Sequence, residues 1–151
     1  MIVAVALHIL AAIIWVGGMF FAIYILRLAT TEMVPAVRLP LWGMVLGKFL
    51  PWVWVAIAVL LGSGYWMIFT GPVGLAALPP YIKVMHGVGW LMVLIFLHLW
   101  FAPYRRFRRA LTGGELEEAG RRLNQIRILV STNLWIGMLN AVIGSAGRYL
   151  G

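Results

Sequence analysis

Four apolar runs, each about 20 residues long and almost free of charge, take up most of this chain. Wound as an α-helix at about 1.5 Å per residue, such a run crosses the roughly 30 Å of hydrocarbon in a bilayer. Lipid offers the backbone no hydrogen-bonding partner, so a segment that crosses it must close its own bonds, as a helix does. The runs therefore predict an all-α fold: an integral membrane four-helix bundle, one domain over residues 1–151, with spans at about 2–26, 44–69, 81–102 and 128–147. Composition agrees, because only 11% of the residues are charged, against about a quarter in a soluble domain.

The first run has no basic stretch before it and is longer than the roughly 7 to 15 residues of a signal-peptide core, so it is expected to stay as a span. Pro51 is placed to kink the second span, whose preceding segment Leu41 to Phe49 extends it along the interface. Pro79 and Pro80 precede the third, and Pro103 with the cluster Arg105, Arg106, Arg108 and Arg109 is expected to stop it. The stretch from Tyr104 to Arg127 reads as a short surface helix after Gly113 and Gly114, with Glu117–Arg121 and Glu118–Arg122 as i to i+4 pairs. Trp52, Trp54, Tyr65, Trp66, Tyr81, Trp100 and Tyr104 fall near span ends, where an interfacial aromatic belt is expected. Gly43 and Gly47 fit close helix packing or a homodimer contact.

Lys and Arg divide unevenly between the two sides. Ten lie in or beside the loops 27–43 and 103–127, and only Lys83 and Arg148 lie on the other side. Cytoplasmic loops retain basic charge, so both termini are expected outside (N-out/C-out) and those two loops in the cytoplasm. The net charge of +8 is then explained by orientation and by membrane lipids as partners, and nucleic acid is not expected.

The chain has no cysteine, which excludes disulfides, thiolate-ligated metals and iron–sulfur clusters. Its four carboxylates, Glu32, Glu115, Glu117 and Glu118, all lie outside the apolar runs. Carboxylate-bridged metals, paired-carboxylate hydrolysis and an acidic proton relay inside the membrane are excluded with them.

An ionisable group inside a span is costly and is read first as functional. Here these are His8, Lys83, His86 and His98. His8 lies roughly 9 Å inside the outer end of span one, and His86 roughly 8 to 9 Å inside the outer end of span three, so the two are expected level. His98 is about 18 Å deeper on the same arithmetic and stands apart. Two imidazoles at one depth on two helices are what a b-type haem needs for its axial ligands. The face around His8 carries Ala4, Ala11, Ala12 and Trp15, and that around His86 carries Ile82, Lys83, Gly89 and Trp90, which leaves room for a flat ring. Lys83 or Arg148 could pair with a propionate. Against this stands the plainer role of a histidine hydrogen-bonded in the bundle core, and Met85, Met67 and Met19 would matter if soft copper were bound.

The run Leu7-His8-Ile9-Leu10-Ala11-Ala12-Ile13-Ile14-Trp15-Val16-Gly17-Gly18, with the histidines of span three, resembles the copper-resistance D (CopD) family, most strongly its short four-helix members. The resemblance implies a multi-pass protein of the bacterial inner (cytoplasmic) membrane with histidines of spans one and three at a common site. The pattern is similar also to the haem-containing, oxygen-independent protoporphyrinogen oxidases. His8, His86 and Lys83 are the positions carried over.

The leading expectation is a b-type haem protein with a redox or electron-transfer role at the outer face of that membrane. His8 and His86 are its axial ligands, with Lys83, Arg148, Gly89, Trp15 and Trp90 around the haem, and a quinone or a periplasmic redox protein is the expected partner. The alternatives are a copper transport or resistance protein, and an enzyme that would be an oxidoreductase of the porphyrinogen oxidase kind.

Overall fold

A computed structural model describes residues 1–71 and 78–149, with the side chain of Arg148 outside the described set. Four long helices account for nearly all of it: α1 (Ile2–Ala29), α2 (Pro35–Thr70), α3 (Pro80–Thr112) and α4 (Leu116–Ala146). Each contains a stretch long and apolar enough to cross a membrane.

The connections follow from local chemistry. Pro35 and Pro80 open α2 and α3 at a position whose N–H has no helical partner, and the residues before them, Val34 and Pro79, are extended. Gly114 is the one described residue with positive φ, 72°. It closes α3 in a Schellman turn, in which Glu115 N–H reaches the Ala110 carbonyl and Gly114 N–H the Leu111 carbonyl, and α4 begins at once.

Adjacent helices run antiparallel, as their contacts show. Along α1 and α2, His8 meets Ser63, Gly18 lies against Phe49, and the Trp42 indole N–H donates to Thr30 Oγ1 at 3.2 Å. The α3–α4 seam repeats every seven residues. Asn140 Nδ2 donates to the Met85 carbonyl at 3.2 Å and Asn133 Nδ2 to the Met92 carbonyl at 3.3 Å, while Gly144 and Gly137 accept the Met85 and Met92 side chains. Small residues let the backbones approach, and amides tie them together where no water competes. Val16 of α1 also reaches Gly137, and Trp15, Trp54 and Phe96 meet edge to face where α1, α2 and α3 converge.

Many large apolar side chains point outward, including Ile2, Leu94 and Val142, as lipid-facing positions do. Gly43 faces Leu111, where a Cβ would stand 2.7 Å from the leucine side chain, so its smallness serves packing within the chain; Gly47 faces the Tyr104 hydroxyl.

Three local expectations are corrected. Pro103 and the arginines do not stop the third helix: it passes them in a wide π-helical turn, Trp100–Tyr104, and continues to Thr112. The extra residue in that turn absorbs the missing proline N–H and keeps Tyr104, Phe107 and Ala110 facing the core. The stretch after Gly114 is not a separate surface helix but the first turns of α4. Trp54, Trp100 and Tyr104 stack with Phe96 or with one another inside the bundle instead of joining an interfacial belt. Trp52 and Trp66 do point outward.

The expected pairs on α4 form, Arg121 with Glu117 at 3.1 Å and Arg122 with Glu118 at 2.6 Å, and Arg121 also reaches Glu118 at 2.7 Å. Hydrogen bonds from Arg121 and Arg122 hold the Glu118 carboxyl below its ordinary pKa. A depressed carboxylate stabilises the fold above its unfolded pKa and ceases to do so as pH falls through the folded value. Amide exchange over 116–122 is therefore expected to accelerate below the usual carboxylate range, beyond the intrinsic pH effect. Equal protection at pH 7 and in strong acid would count against these pairs.

Candidate functional site

At the end of the bundle away from the arginines, α2 presents a short polar stretch, Ser63, Gly64 and Tyr65, in the otherwise apolar part of the helix that follows Lys48. His8 of α1 and His86 of α3 both bond to this stretch. His8 Nδ1 lies 3.0 Å from Ser63 Oγ, and His86 Nε2 lies 3.3 Å from the Tyr65 hydroxyl. Gly64 gives His8 room, since a Cβ there would stand 3.4 Å from the imidazole Cε1. Both histidines are half-buried.

Hydrogen-bond arithmetic assigns the His8 tautomer. The Ser63 hydroxyl has one proton, and it is directed to the Val59 and Leu60 carbonyls one turn back. Ser63 Oγ therefore accepts from His8 Nδ1–H, with the Leu60 backbone also close to the ring, and the lone pair of His8 stands on Nε2. A hydrogen bond that fixes one ring nitrogen and leaves the other open is the usual support of a metal-binding histidine. The second histidine is held differently. Trp90 Nε1 donates to the Tyr65 hydroxyl at 3.3 Å, and that hydroxyl retains a proton and a lone pair, so it can serve either tautomer of His86. The Tyr65 and Trp90 rings both meet the imidazole edge to face.

The two imidazoles lie at similar height but do not face one another. Ser63 and Tyr65 are two residues apart, about 3 Å of rise and about 200° of rotation, so they leave α2 on nearly opposite sides. Among the described residues no hydrogen bond or ring contact joins His8 to His86. A bis-histidine haem needs both axial nitrogens turned toward one plane. Here His86 Nε2 is engaged by Tyr65, so the residues as arranged do not fit that group.

The other expected site residues scatter. Trp90 belongs to the His86 cluster, with Gly89 beside it on α3. Trp15 is buried two turns below His8, against Phe96. Lys83 is exposed, and the side chain of Arg148 lies outside the described residues. His98 is exposed, twelve residues along α3 from His86. Met85 turns its sulfur toward Gly144 of α4, and Met19 is buried in the core. No three His, Cys, Asp or Glu side chains gather into a metal cage among the described residues.

Sequence reasoning missed Ser63, Tyr65 and the amide pair Asn133 and Asn140. The signal was present: hydroxyls and amides inside apolar spans need partners there, and two asparagines seven residues apart share a helix face.

An apolar cavity of about 470 Å³ opens beside Ser63, between α1 and α2, lined by Met1, Ala4, Leu7, Val59 and Trp66 among others.

A family model described as copper resistance protein D matches residues 43–146, from the first half of α2 to the end of α4. The match takes in Ser63, Tyr65, His86 and Trp90 and leaves out α1 with His8. Neither a curated protein nor a solved structure matches the chain. Four helices long and apolar enough to cross a membrane and a family match over more than half of its length together show that the chain belongs to the copper resistance protein D family.

Proposed function

We propose that this protein binds copper ions within the membrane and passes them on, with His8 Nε2 as the first ligand and His86 as a second whose readiness Tyr65 sets. The observation that carries the reading is the His8–Ser63 pair, which engages one imidazole nitrogen of His8 through a serine that itself lines a cavity, in a protein of the copper-resistance family. Imidazole and thioether donors suit copper, and an ion that must leave again is best held by few ligands. Copper is the cargo here. In this reading the histidine end faces outward and the arginine end faces the cytoplasm of the bacterial inner membrane, which the uneven distribution of lysine and arginine supports.

A haem-based redox role is the rival reading: it has two intramembrane histidines at similar height in its favour, and the engagement of His86 Nε2 by Tyr65 against it. Metal analysis and optical spectra of detergent-purified protein from cells supplied with both copper and haem separate the two. Copper without iron, in a preparation with no Soret band, is the expected result. Iron with low-spin bands that sharpen on reduction would overturn the copper reading.

A further inference from the structure

At the opposite end of the bundle, three arginines from three helices line one cavity of about 170 Å³: Arg27 at the close of α1, Arg38 in the first turns of α2, and Arg127 on α4. Its space is many times the roughly 10 to 15 Å³ that one water requires. None of the three guanidinium groups pairs with a carboxylate among the described residues, where every ion pair joins Arg121 or Arg122 to Glu117 or Glu118. Glu32, the one acid in the α1–α2 connection, pairs with none of them.

The cluster is built, not incidental. Arg127 is partly buried and also feels the like charges of Arg27 and Arg38, and its Nε is buried with no hydrogen-bond partner. A buried donor left unsatisfied is unfavourable, and three unpaired cations around one space repel one another. The walls are rigid. Thr30 donates its hydroxyl to the Leu26 carbonyl while accepting from Trp42 Nε1, which locks the end of α1 against α2. Arg38 Nη1 donates to the Thr31 carbonyl at 3.4 Å, which orients its guanidinium and leaves its other N–H groups available.

We infer that this cavity is a binding site for a phosphate group, held by Arg27, Arg38 and Arg127 together. Guanidinium forks match the oxygens of phosphate in pairs, and one phosphate would satisfy the orphaned Nε and neutralise the mutual repulsion at once. The apolar run of α1 ends at Arg27, so the site stands at the level of lipid headgroups. Two sources share this chemistry: the headgroup of an anionic phospholipid, and free inorganic phosphate.

Native mass spectrometry and thermal melting of the full chain test the site and tell the sources apart. The probes are vesicles of phosphatidylglycerol or phosphatidylcholine, and inorganic phosphate alone. Wild type is expected to retain phosphatidylglycerol over phosphatidylcholine by about tenfold or more. Arg127→Gln and Arg27→Gln should each lose that preference, whereas Arg109→Gln, in the exposed cluster of α3, should keep it. Arg27 is exposed, so its variant reads the site without disturbing packing. If inorganic phosphate raises the melting temperature of wild type but not of Arg127→Gln, with no lipid preference, the ligand is free phosphate and the site stands. Retention by Arg27→Gln and Arg127→Gln equal to wild type, or an equal loss in Arg109→Gln, would reduce the effect to diffuse attraction and overturn the proposal.

Discussion

His8→Ala is expected to weaken copper binding by the purified protein about a hundredfold or more, equivalent to roughly 2.7 kcal/mol, because it removes the imidazole that the Ser63 hydrogen bond orients as first ligand. Ser63→Ala should cost about 10- to 100-fold, the range for losing a group that orients a metal ligand. The serine variant decides whether position 8 acts as a ligand or only as a packing residue. Alanine at 63 keeps the imidazole present but frees it to adopt the other tautomer and to rotate. His98→Ala, at an exposed position remote from both, should bind copper like wild type. Equal affinity in wild type and His8→Ala, measured by competition with a chelator of known strength, would remove His8 from the site and leave only the family relation in favour of copper.

The largest expected loss of stability lies far from the histidines, at Phe107, which is fully buried although it sits among four arginines beyond Pro103. It belongs to the same core as Ala110, Ala119, Leu123 and Ile126, where the last turns of α3 pack on the first turns of α4. Phe107→Ala should destabilise the bundle by about 3–5 kcal/mol, the cost of a deleted aromatic ring and the cavity it leaves. Leu94→Ala, on the outward face of α3, should fall within about 0.5 kcal/mol of wild type. Reversible unfolding in mixed micelles measures both. A small effect at Phe107 would mean that the segment after Pro103 is not docked on α4 and that the wide turn does not carry the core past the proline.

Phe107 also shows why a sequence with such clear spans was only partly legible. Five hydrophilic or helix-breaking positions, Pro103 and the four arginines, surround it, and a window average over that stretch reads as the end of a membrane helix. What it cannot register is phase. The π-helical turn shifts the face of the helix by one residue, so Tyr104, Phe107 and Ala110 point inward while the arginines point out. The α4 segment holding Glu117, Glu118, Arg121 and Arg122 reads as a helix of its own for the same reason, yet it is continuous with α4, because charge marks the water boundary and not the end of a helix.

The histidines teach a related lesson. Their depth could be counted from the ends of the apolar runs at a fixed rise per residue, and they do lie at similar height. Their direction could not be counted, because it depends on which neighbouring helix each face meets. In the structure both rings turn to α2, which separates them, and their partners are a serine and a tyrosine that hydropathy treats as unremarkable interruptions.

The sequence by itself determined the helical class, the four helices long and apolar enough to cross a membrane, and the family, because lipid leaves the backbone a single solution and hydropathy reports where that solution applies. Tertiary structure alone decided which groups meet: an imidazole with a serine, amides with backbone carbonyls, three guanidinium groups around one cavity. Such meetings depend on helix phase and on the register between antiparallel neighbours, which a one-dimensional pattern does not contain.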